Sequence, residues 1–575
     1  SYNYLTRYML YAPGHFRYFV ICIIFLAVSC TNRSSGEDKN LITNPNAMNE
    51  EVADQLKETI DKAAANAGKI DDSTRIALYQ IVEQFYKKGD YKPVWSNAEK
   101  WEPLADSLYG FIMHAEHEGL FPDDYHFNLL KVLKDTLDSD SIARMNVHFW
   151  TRAELLLTDG FMHLIKDLKQ GRLQPDSLSL NKDSVLVDKF FIATLNDVLE
   201  KKNFSETLIT LQPKHKNYWE LKKGIKKFVD SMDRRVFTHI VYPFKRGDAK
   251  DSLYFIRLLQ KRLTESNCLP ATSRSPDSAT LANAIKKYQV QKGLTADGKY
   301  GKNIVAALNS NDVERFKRIA ITLDRYKQLP AKMPDKYIWV NLPGYYLHLV
   351  NTDTVVFESK IICGKPETRT PLLTSEISDI ITYPTWTVPT SIIVKQYLPK
   401  LKNNPNYISR LGLKLMNNKG EVIDPGSVNW SKYSRGIPYR LVQGSGDNNS
   451  LGVIKFNFDN PYAVYLHDTN QRYLFKNASR ALSHGCVRVQ EWEKLAYYIA
   501  GNDSSLSIRK DSLKYTADSI RSWIAQKERH HIDVKNHIAL FIRYFSCEGK
   551  KGKVVFYEDI YGEDRQLMEK YFARK

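Results

Sequence analysis

Three residues that could carry out chemistry lie close together in the last third of the sequence: His467, His484 and Cys486. His467 lies in residues 465–469 (YLHDT), and Cys486 lies in residues 483–489 (SHGCVRV). A thiol attacks a carbonyl carbon as the thiolate, and an imidazole within reach can take its proton. The two segments therefore predict nucleophilic catalysis by Cys486, with His467 as the general base.

The residues around Cys486 suit this chemistry. Gly485 leaves room for a substrate backbone to approach, and backbone N–H groups of residues 484–486 can point at a developing oxyanion. A helix is expected directly after Cys486, and its positive N-terminal end would favour the thiolate. The apolar face of this helix consists of Trp492, Leu495, Ala496 and Ile499.

Simpler interpretations exist for each residue alone. Cys486 could be a small buried apolar residue and His467 a core histidine, but the combined motif favours catalysis. His467, His484 and Cys486 are also zinc-ligand types, yet no further ligand pair has helical or knuckle spacing, so no metal site is expected. Three histidines near the N-terminus are interpreted as surface or core residues: His114, His117 and His126.

The histidine followed by SHGC resembles the active-site motif of the YkuD-type L,D-transpeptidases, and the wording of both segments is similar to their large YcbB-like branch. The resemblance implies that Cys486 takes the acyl group of a tetrapeptide stem and that His467 is its base. It implies that His484 and Gly485 shape the turn and the oxyanion site. The reaction that the resemblance implies requires no metal and no organic cofactor.

Other residues are candidates for substrate binding. Arg488 stands where smaller members of the family often carry Asn, and we expect it to orient a substrate carboxylate. Ser483 and Tyr465 flank the two catalytic residues. Trp386 and Trp430 could line a cleft around the donor peptide, although a buried aromatic is the alternative for each. The group that orients the His467 imidazole stays open, because residues 468–469 (Asp-Thr) differ from the pattern of smaller members.

A second resemblance lies before the catalytic segment. Residues 289–301 contain Gln289, a Gly-Leu pair and an Asp-Gly turn, and Ala-Leu-Asn closes the segment at residue 309. This pattern resembles the three-helix peptidoglycan-binding module, which we place at residues 251–312. A generic helical hairpin is the alternative, since Asp-Gly turns are common.

Hydrophobic periodicity divides the rest of the chain. Apolar residues recur at helical spacing over residues 51–250, which predicts an α-helical scaffold domain. After residue 335 the period changes to two, which predicts a β-rich domain over residues 335–575. A long segment rich in Asn, Gly and Pro, residues 395–452, is expected to form an inserted cap. The predicted fold class is multidomain α+β.

The first thirty residues resemble a secretory leader. Basic residues precede an apolar run over residues 18–28, which is too short for a comfortable membrane span. The run ends at Cys30 in a sequence similar to a bacterial lipobox, so lipidation of Cys30 is expected, with ordinary cleavage or a retained anchor as alternatives. Met9 could be the true start. Residues 31–50 are predicted to form a flexible tether. The protein is expected at the periplasmic face of the envelope, held by a lipid anchor.

Charge and cysteine usage agree with an envelope protein. Lys and Arg total 83 against 65 Asp and Glu, a net charge of +18, which suggests a polyanionic partner. No nucleic-acid-binding motif is present, so nucleic acid is not an expected partner. The six cysteines occur singly along the chain, so a disulfide framework is not expected.

The resulting hypothesis is two-step acyl transfer between peptidoglycan stem peptides, one as donor and one as acceptor. By resemblance the product is a 3–3 cross-link, and carbapenems are expected to acylate Cys486. One rival is an L,D-carboxypeptidase that uses water as acceptor. Another is a non-enzymatic lipoprotein that tethers a membrane to the wall.

Overall fold

The computed structural model describes residues 40–573, apart from 182–185, 243–248, 273–275, 293, 295 and 507–514. The predicted leader, Cys30 and most of the tether lie outside the described residues. Within the described residues, no helix combines the length and the apolar character that a membrane crossing needs.

The N-terminal part of the chain is helical. Its core surrounds α5, which is buried along most of its length because apolar residues occur on all its faces. Glu154 on α5 is fully buried and accepts hydrogen bonds from the backbone N–H groups of Val94 and Trp95. The helices are α1 (Met48–Ala65), α2 (Tyr79–Lys88), α3 (Pro103–Met113), α4 (Phe127–Ser139), α5 (Val147–Lys169), α6 (Asp188–Lys201), α7 (Phe204–Leu211) and α8 (Lys216–Asp230), with a short hairpin of β1 (Ser96–Asn97) and β2 (Lys100–Trp101).

Three helices with their own apolar core follow: α9 (Ala249–Glu265), α10 (Ser278–Gln291) and α11 (Lys302–Asn309). The motif residues fix the turn after α10. The Gln289 side chain donates to Asp297 (2.8 Å) and accepts from the Gly298 backbone N–H (2.9 Å). A buried helix, α12 (Asp312–Lys327), leads into the β-rich domain.

The β-rich domain is built on a nine-stranded sheet with the order β13-β5-β14-β12-β11-β6-β15-β3-β4. Strand β4 also pairs with β5, so the sheet closes on itself. The strands are β3 (Lys336–Asn341), β4 (Tyr346–Asn351), β5 (Thr354–Gly364), β6 (Leu373–Thr382), β11 (Ile454–Phe458), β12 (Leu466–His467), β13 (Ala481–Ser483), β14 (Val487–Val489) and β15 (His531–Arg543). Helices α15 (Trp492–Leu506) and α16 (Ala517–Ala525) pack against its core.

The insertion between β6 and β11 forms a cap with its own sheet and core. This sheet starts at Trp386, before the boundary at residue 395 that the sequence suggested. Its elements are β7 (Trp386–Thr387), β8 (Leu413–Met416), β9 (Val422–Ile423) and β10 (Arg440–Gln443), with helices α13 (Thr390–Ile392) and α14 (Leu398–Asn403) joined by a π-helical turn (Ile393–Tyr397).

The helical scaffold and the β-rich domain share a core. Side chains of α8 and α12 pack with strands β3 and β15 and with the hairpin of β16 (Cys547–Lys550) and β17 (Lys553–Phe556). The last helix, α17 (Glu563–Tyr571), supplies the buried Asp564, which pairs with Arg318 and Arg325 of α12. The predicted α+β architecture, with a helical N-terminal region and a β-rich C-terminal domain, is confirmed.

Candidate active site

The two segments with predicted chemistry become neighbouring strands. In the parallel pair of β12 and β14, Leu466 lies opposite Val487 and His467 lies opposite Arg488. The Val487 backbone N–H donates to the Tyr465 carbonyl (3.1 Å), so Cys486 lies beside Tyr465. Because side chains alternate along a strand, residues 465, 467, 486 and 488 point to one face of the sheet. His467 and Cys486 are diagonal neighbours on that face.

Tyr465 connects the two predicted catalytic side chains. Its ring meets the His467 ring edge to face, with centroids 5.6 Å apart. Its hydroxyl is hydrogen bonded to the Cys486 thiol and to the Trp386 side chain, and burial together with the charge of Cys486 raises the pKa of Tyr465. Tyr465 therefore lies in contact with the nucleophile, the histidine and the cap.

A lysine that the sequence analysis did not consider completes this face. Lys455 on β11 lies opposite His467 in antiparallel register, and its ammonium is 4.1 Å from the centroid of the Tyr465 ring. Burial lowers the pKa of Lys455. No pattern in the sequence marks Lys455 as a site residue, because only the register of β11 and β12 brings it beside His467.

The electrostatics favour a neutral imidazole and a protonated resting thiol. Burial, assisted by the positive charge of Arg488, lowers the pKa of His467 to about 3. Burial raises the pKa of Cys486, while hydrogen bonds from Tyr465 and the charges of Lys455 and Arg488 lower it in part. A neutral imidazole can accept a proton, so the pair can act by general-base transfer at the moment of attack.

The predicted helix is present as α15 with the expected apolar face, but its start does not directly follow Cys486. Strand β14 occupies residues 487–489, and α15 begins at Trp492, so Cys486 lies at the end of a turn that enters a strand. The N-terminus of α15 is therefore not adjacent to Cys486 in the chain, and burial raises the pKa of the thiol. The sequence could not reveal this, because a three-residue strand of Val-Arg-Val is too short for a periodicity argument.

The turn before Cys486 is held by hydrogen bonds from both sides. Gly485 has φ +123°, a conformation that favours glycine, and its N–H donates to the Ser483 hydroxyl (3.1 Å). The Ser483 hydroxyl donates in turn to the Cys486 carbonyl (2.6 Å), and the Thr370 hydroxyl donates to the Gly485 carbonyl (2.8 Å). Ser483 thus fixes the turn from within, whereas the sequence analysis placed it among substrate-binding residues.

Thr370 and Tyr561, which lie outside the turn, support it. The Thr370 hydroxyl accepts the Gly364 N–H (2.9 Å), and the Tyr561 hydroxyl accepts the Thr370 N–H (3.1 Å) and donates to the Gly364 carbonyl (2.7 Å). Sequence reasoning found no chemistry for Tyr561. It acts at long range in the chain, and no local pattern could have indicated its partner.

Of the remaining predicted site residues, His484 and Trp386 lie at the site and Trp430 does not. His484 is exposed on the turn, and partial burial with the nearby charges of Lys365 and Arg488 lowers its pKa. Trp386 reaches Tyr465 from the cap. Trp430, in contrast, is buried in the core of the cap and donates its indole N–H to the Pro425 carbonyl (2.9 Å), so the structure does not bring it into the site.

Asp468 points away from the imidazole that precedes it. Its buried carboxylate accepts hydrogen bonds from Arg472 (2.6 and 3.0 Å) and from the Val453 backbone N–H (3.1 Å). Among the described residues, the buried His467 Nδ1 has no hydrogen-bond partner. The Asp468 carboxylate therefore does not orient the imidazole, which packs against the Tyr465 ring and lies close to the backbone of Asp468 and Leu451.

Exposure distinguishes Cys486 from the other cysteines of the described residues. Of the cysteines in the described residues, Cys486 is half-buried, whereas Cys268, Cys363 and Cys547 are buried. The described residues contain no group of three or more His, Cys, Asp or Glu side chains that could hold a metal ion.

Family models match most of this architecture. Residues 335–504 match the L,D-transpeptidase catalytic domain (YkuD), residues 254–308 a "Putative peptidoglycan binding domain" and residues 80–225 a scaffold domain. A curated protein of Haemophilus influenzae described as "Putative L,D-transpeptidase" is 35% identical over 230 residues, which are 40% of this chain and 45% of that protein. The chain thus spans less than half the length of that relative.

Solved structures of the same class are more distant. An L,D-transpeptidase from Stackebrandtia nassauensis is 14% identical over 50% of this chain and 88% of its own, with a TM-score of 0.16. One from Mycobacterium smegmatis is 10% identical over 36% of this chain and 58% of its own, with a TM-score of 0.17.

Cys486 and His467 thus lie on one face of a closed sheet, within the residues that match the catalytic-domain model. Residues 335–504 therefore carry a YkuD-type L,D-transpeptidase catalytic domain, and the residues before it carry a scaffold domain and a peptidoglycan-binding domain.

Proposed function

We propose that this protein is an L,D-transpeptidase that forms 3–3 cross-links in peptidoglycan through a thioester on Cys486. The observation that carries the proposal is the strand register that places His467, Cys486 and Arg488 on one face of the catalytic domain. The match of this domain to the YkuD family supports the reaction class.

The first step is acylation by the donor. The Cys486 thiol passes its proton to the neutral His467 imidazole while the sulfur attacks the carbonyl before the terminal D-alanine of a tetrapeptide stem. The Gly485 N–H is already bound to Ser483, so the Cys486 backbone N–H is the oxyanion donor that this mechanism uses. The C–N bond then breaks, and D-alanine leaves with the proton from the imidazolium.

The second step returns the enzyme to its resting state. The side-chain amine of a second stem peptide attacks the thioester carbonyl and gives a proton to His467. The Cys486 thiolate leaves and is reprotonated, and a new amide links the two stems. Neither step requires a metal or an organic cofactor.

Arg488 is proposed to bind a carboxylate of the donor stem. Its Nη1 donates to Gln471 (3.1 Å), but its buried Nε has no partner among the described residues. A buried N–H without an acceptor is unfavourable in the free protein, and a substrate carboxylate would supply one. The same proposal places the protein on the periplasmic side of the envelope, with a lipid on Cys30 and peptidoglycan as the partner of the module.

The decisive experiment is acylation by a carbapenem, measured by intact-protein mass spectrometry. Wild type is expected to gain the mass of one inhibitor, and Cys486→Ala is expected to gain none. Cys363→Ala is the matched control, because this thiol is fully buried and should be dispensable for acylation. Equal labelling of wild type and Cys486→Ala contradicts the proposal.

The acceptor is identified by incubating the enzyme with disaccharide tetrapeptides and analysing the products by mass. Cross-linked dimers that lack one D-alanine are the expected product. Trimmed tripeptides without dimers would instead assign an L,D-carboxypeptidase that uses water. Unchanged substrate together with intact wall binding would leave only a tethering role.

A further inference from the structure

Two cations flank His467 on the face of the sheet that carries Cys486. Lys455 on β11 lies opposite His467 on β12, and His467 in turn lies opposite Arg488 on β14. Side chains in register on neighbouring strands point to the same face, and neighbouring strands lie about 4.8 Å apart. Roughly 10 Å therefore separates the Cα positions of Lys455 and Arg488, with the imidazole between them. The mechanism above uses Arg488 and leaves Lys455 without a role.

The Lys455 ammonium has a neighbour of π character and no bonded anion. It lies over the ring of Tyr465, 4.1 Å from the centroid, and within the described part of the chain it forms no hydrogen bond and no ion pair. The charge of Asp379 on β6 acts on it, but that carboxylate accepts a hydrogen bond from Asn457 (2.6 Å) and lies 3.1 Å from His531 Nε2. Burial lowers the pKa of Lys455, so an anionic ligand would stabilise its charged form.

The order of the strands relates Lys455 to one side of the bond that breaks. In the proposed acylation, the donor carbonyl carbon meets the sulfur of Cys486, which directly precedes β14. The leaving amine takes its proton from His467, so it lies over β12, the next strand of the sheet. The residue attached to that amine then extends towards β11 and Lys455. In a stem peptide cleaved at its last bond, this residue carries the terminal carboxylate.

We propose that Lys455 binds the carboxylate of the residue that leaves the donor, and so restricts cleavage to the last peptide bond of the stem. This inference rests on the proposed acyl transfer and adds a specificity-determining residue to it. Arg488 binds a carboxylate on the acyl side of the same bond. A donor whose leaving residue is amidated or extended by another residue offers Lys455 no anion, and it binds less well for that reason.

Rates of donor cleavage test the specificity. Three tetrapeptide stems serve as donors: one with its carboxylates free, one amidated at the terminal carboxylate, and one amidated at the side-chain carboxylate of the diamino acid. Wild type is expected to cleave the terminally amidated donor with a kcat/KM about tenfold lower than that of the free donor. Lys455→Met should lose most of this preference, and Lys455→Arg should keep most of it. The preference for the free side-chain carboxylate should be the same in Lys455→Met as in wild type.

The matched control is Lys535→Met, which removes an exposed lysine of β15 in the same sheet and should leave both preferences unchanged. A lysine that acted only on the charge of Cys486 would slow all three donors alike, and it would slow iodoacetamide alkylation as well. Such a uniform loss in Lys455→Met, or a preference for the free terminal carboxylate equal to that of wild type, overturns the proposal.

Binding to an unreactive protein separates this inference from the proposed function. Isothermal titration calorimetry measures the three stems against Cys486→Ala and against the same protein with Lys455→Met added. If wild type cleaves no stem but binding depends on the terminal carboxylate through Lys455, the reaction of Cys486 is refuted and the role of Lys455 stands. If wild type forms cross-links and Lys455→Met keeps the full preference, the role of Lys455 is refuted and the proposed function stands.

Discussion

His467 lies directly opposite Arg488 across the parallel strands β12 and β14. The two residues are adjacent in space although 20 residues separate them in sequence. The guanidinium lies beside the imidazole and, together with burial, keeps the ring in its neutral form. The same charge lowers the pKa of the Cys486 thiol, so one arginine acts on both members of the proposed pair.

Replacing Arg488 by Met should slow the reaction of the thiol. Removal of the charge raises the pKa of Cys486, so less thiolate is present at a given pH. We expect iodoacetamide alkylation of Cys486 to slow by about threefold to tenfold at pH 7, with the pH profile moved to higher pH. The measurement is the alkylation rate by intact mass between pH 6 and 10.

The control for this variant is Arg435→Met, an exposed arginine of the cap. It should alkylate at the rate of wild type. A profile that is identical in wild type and Arg488→Met would show that the guanidinium does not influence the sulfur.

Tyr465→Phe tests the hydrogen bond to the nucleophile. The ring that packs against His467 is retained, while the hydroxyl that bonds the Cys486 thiol is lost. Carbapenem acylation should slow by about tenfold, since a bond to a developing anion is worth about 1.5 kcal/mol or more. Tyr473→Phe, whose residue is exposed, should react as wild type, and an equal loss in both variants would argue against a specific role for the Tyr465 hydroxyl.

Gly485→Ala should disable the turn before the nucleophile. The added Cβ meets no atom closer than 3.6 Å, so the effect arises from the backbone conformation at φ +123° and not from crowding. We expect a loss of about 1–3 kcal/mol in the stability of the catalytic domain and a larger loss in acylation rate. Thermal unfolding and acylation rates measure the two effects.

Gly501→Ala is the matched substitution in α15, where a Cβ meets nothing within 4 Å. It should be neutral or stabilising by about 0.5–1 kcal/mol, because alanine favours a helix. If Gly485→Ala were as harmless as Gly501→Ala, the positive φ would have no importance for the site.

Trp430 and Trp386 should respond differently to truncation. Trp430→Ala removes a buried ring from the core of the cap and should destabilise the cap by about 3–5 kcal/mol. Trp386→Ala removes the partner of Tyr465 and should reduce acylation with a smaller effect on the cap. Hydrogen exchange over residues 386–443 and acylation rates distinguish the two, and a rate defect without faster exchange in Trp430→Ala would return this residue to the site.

The buried His467 should make the catalytic domain less stable in acid. Its folded pKa of about 3 lies below the unfolded value of 6.5, so the unfolded chain binds the proton more readily. The stabilisation is fully present above pH 6.5 and is lost as the pH falls from 6.5 towards 3, at no more than about 1.4 kcal/mol per pH unit. His467→Gln should unfold with a smaller pH dependence in this window, measured by urea titration at several pH values. Equal slopes for both proteins would contradict the low pKa.

Both the residue types of the proposed catalytic pair and the α+β organisation could be predicted from the sequence. A histidine and an SHGC segment at their spacing were enough to predict a cysteine nucleophile, because the chemistry needs those residue types close together. Helical periodicity before residue 250 and a period of two after residue 335 predicted the α+β architecture, since these periods follow from local backbone geometry.

The groups that surround Cys486 are apparent only in the folded protein. The strand register brought in Lys455 and Arg488, and long-range hydrogen bonds brought in Thr370 and Tyr561. Strand β14 separates Cys486 from the predicted helix α15. Register and contacts between distant segments depend on how whole strands pack against one core, and no local pattern in the chain records that choice.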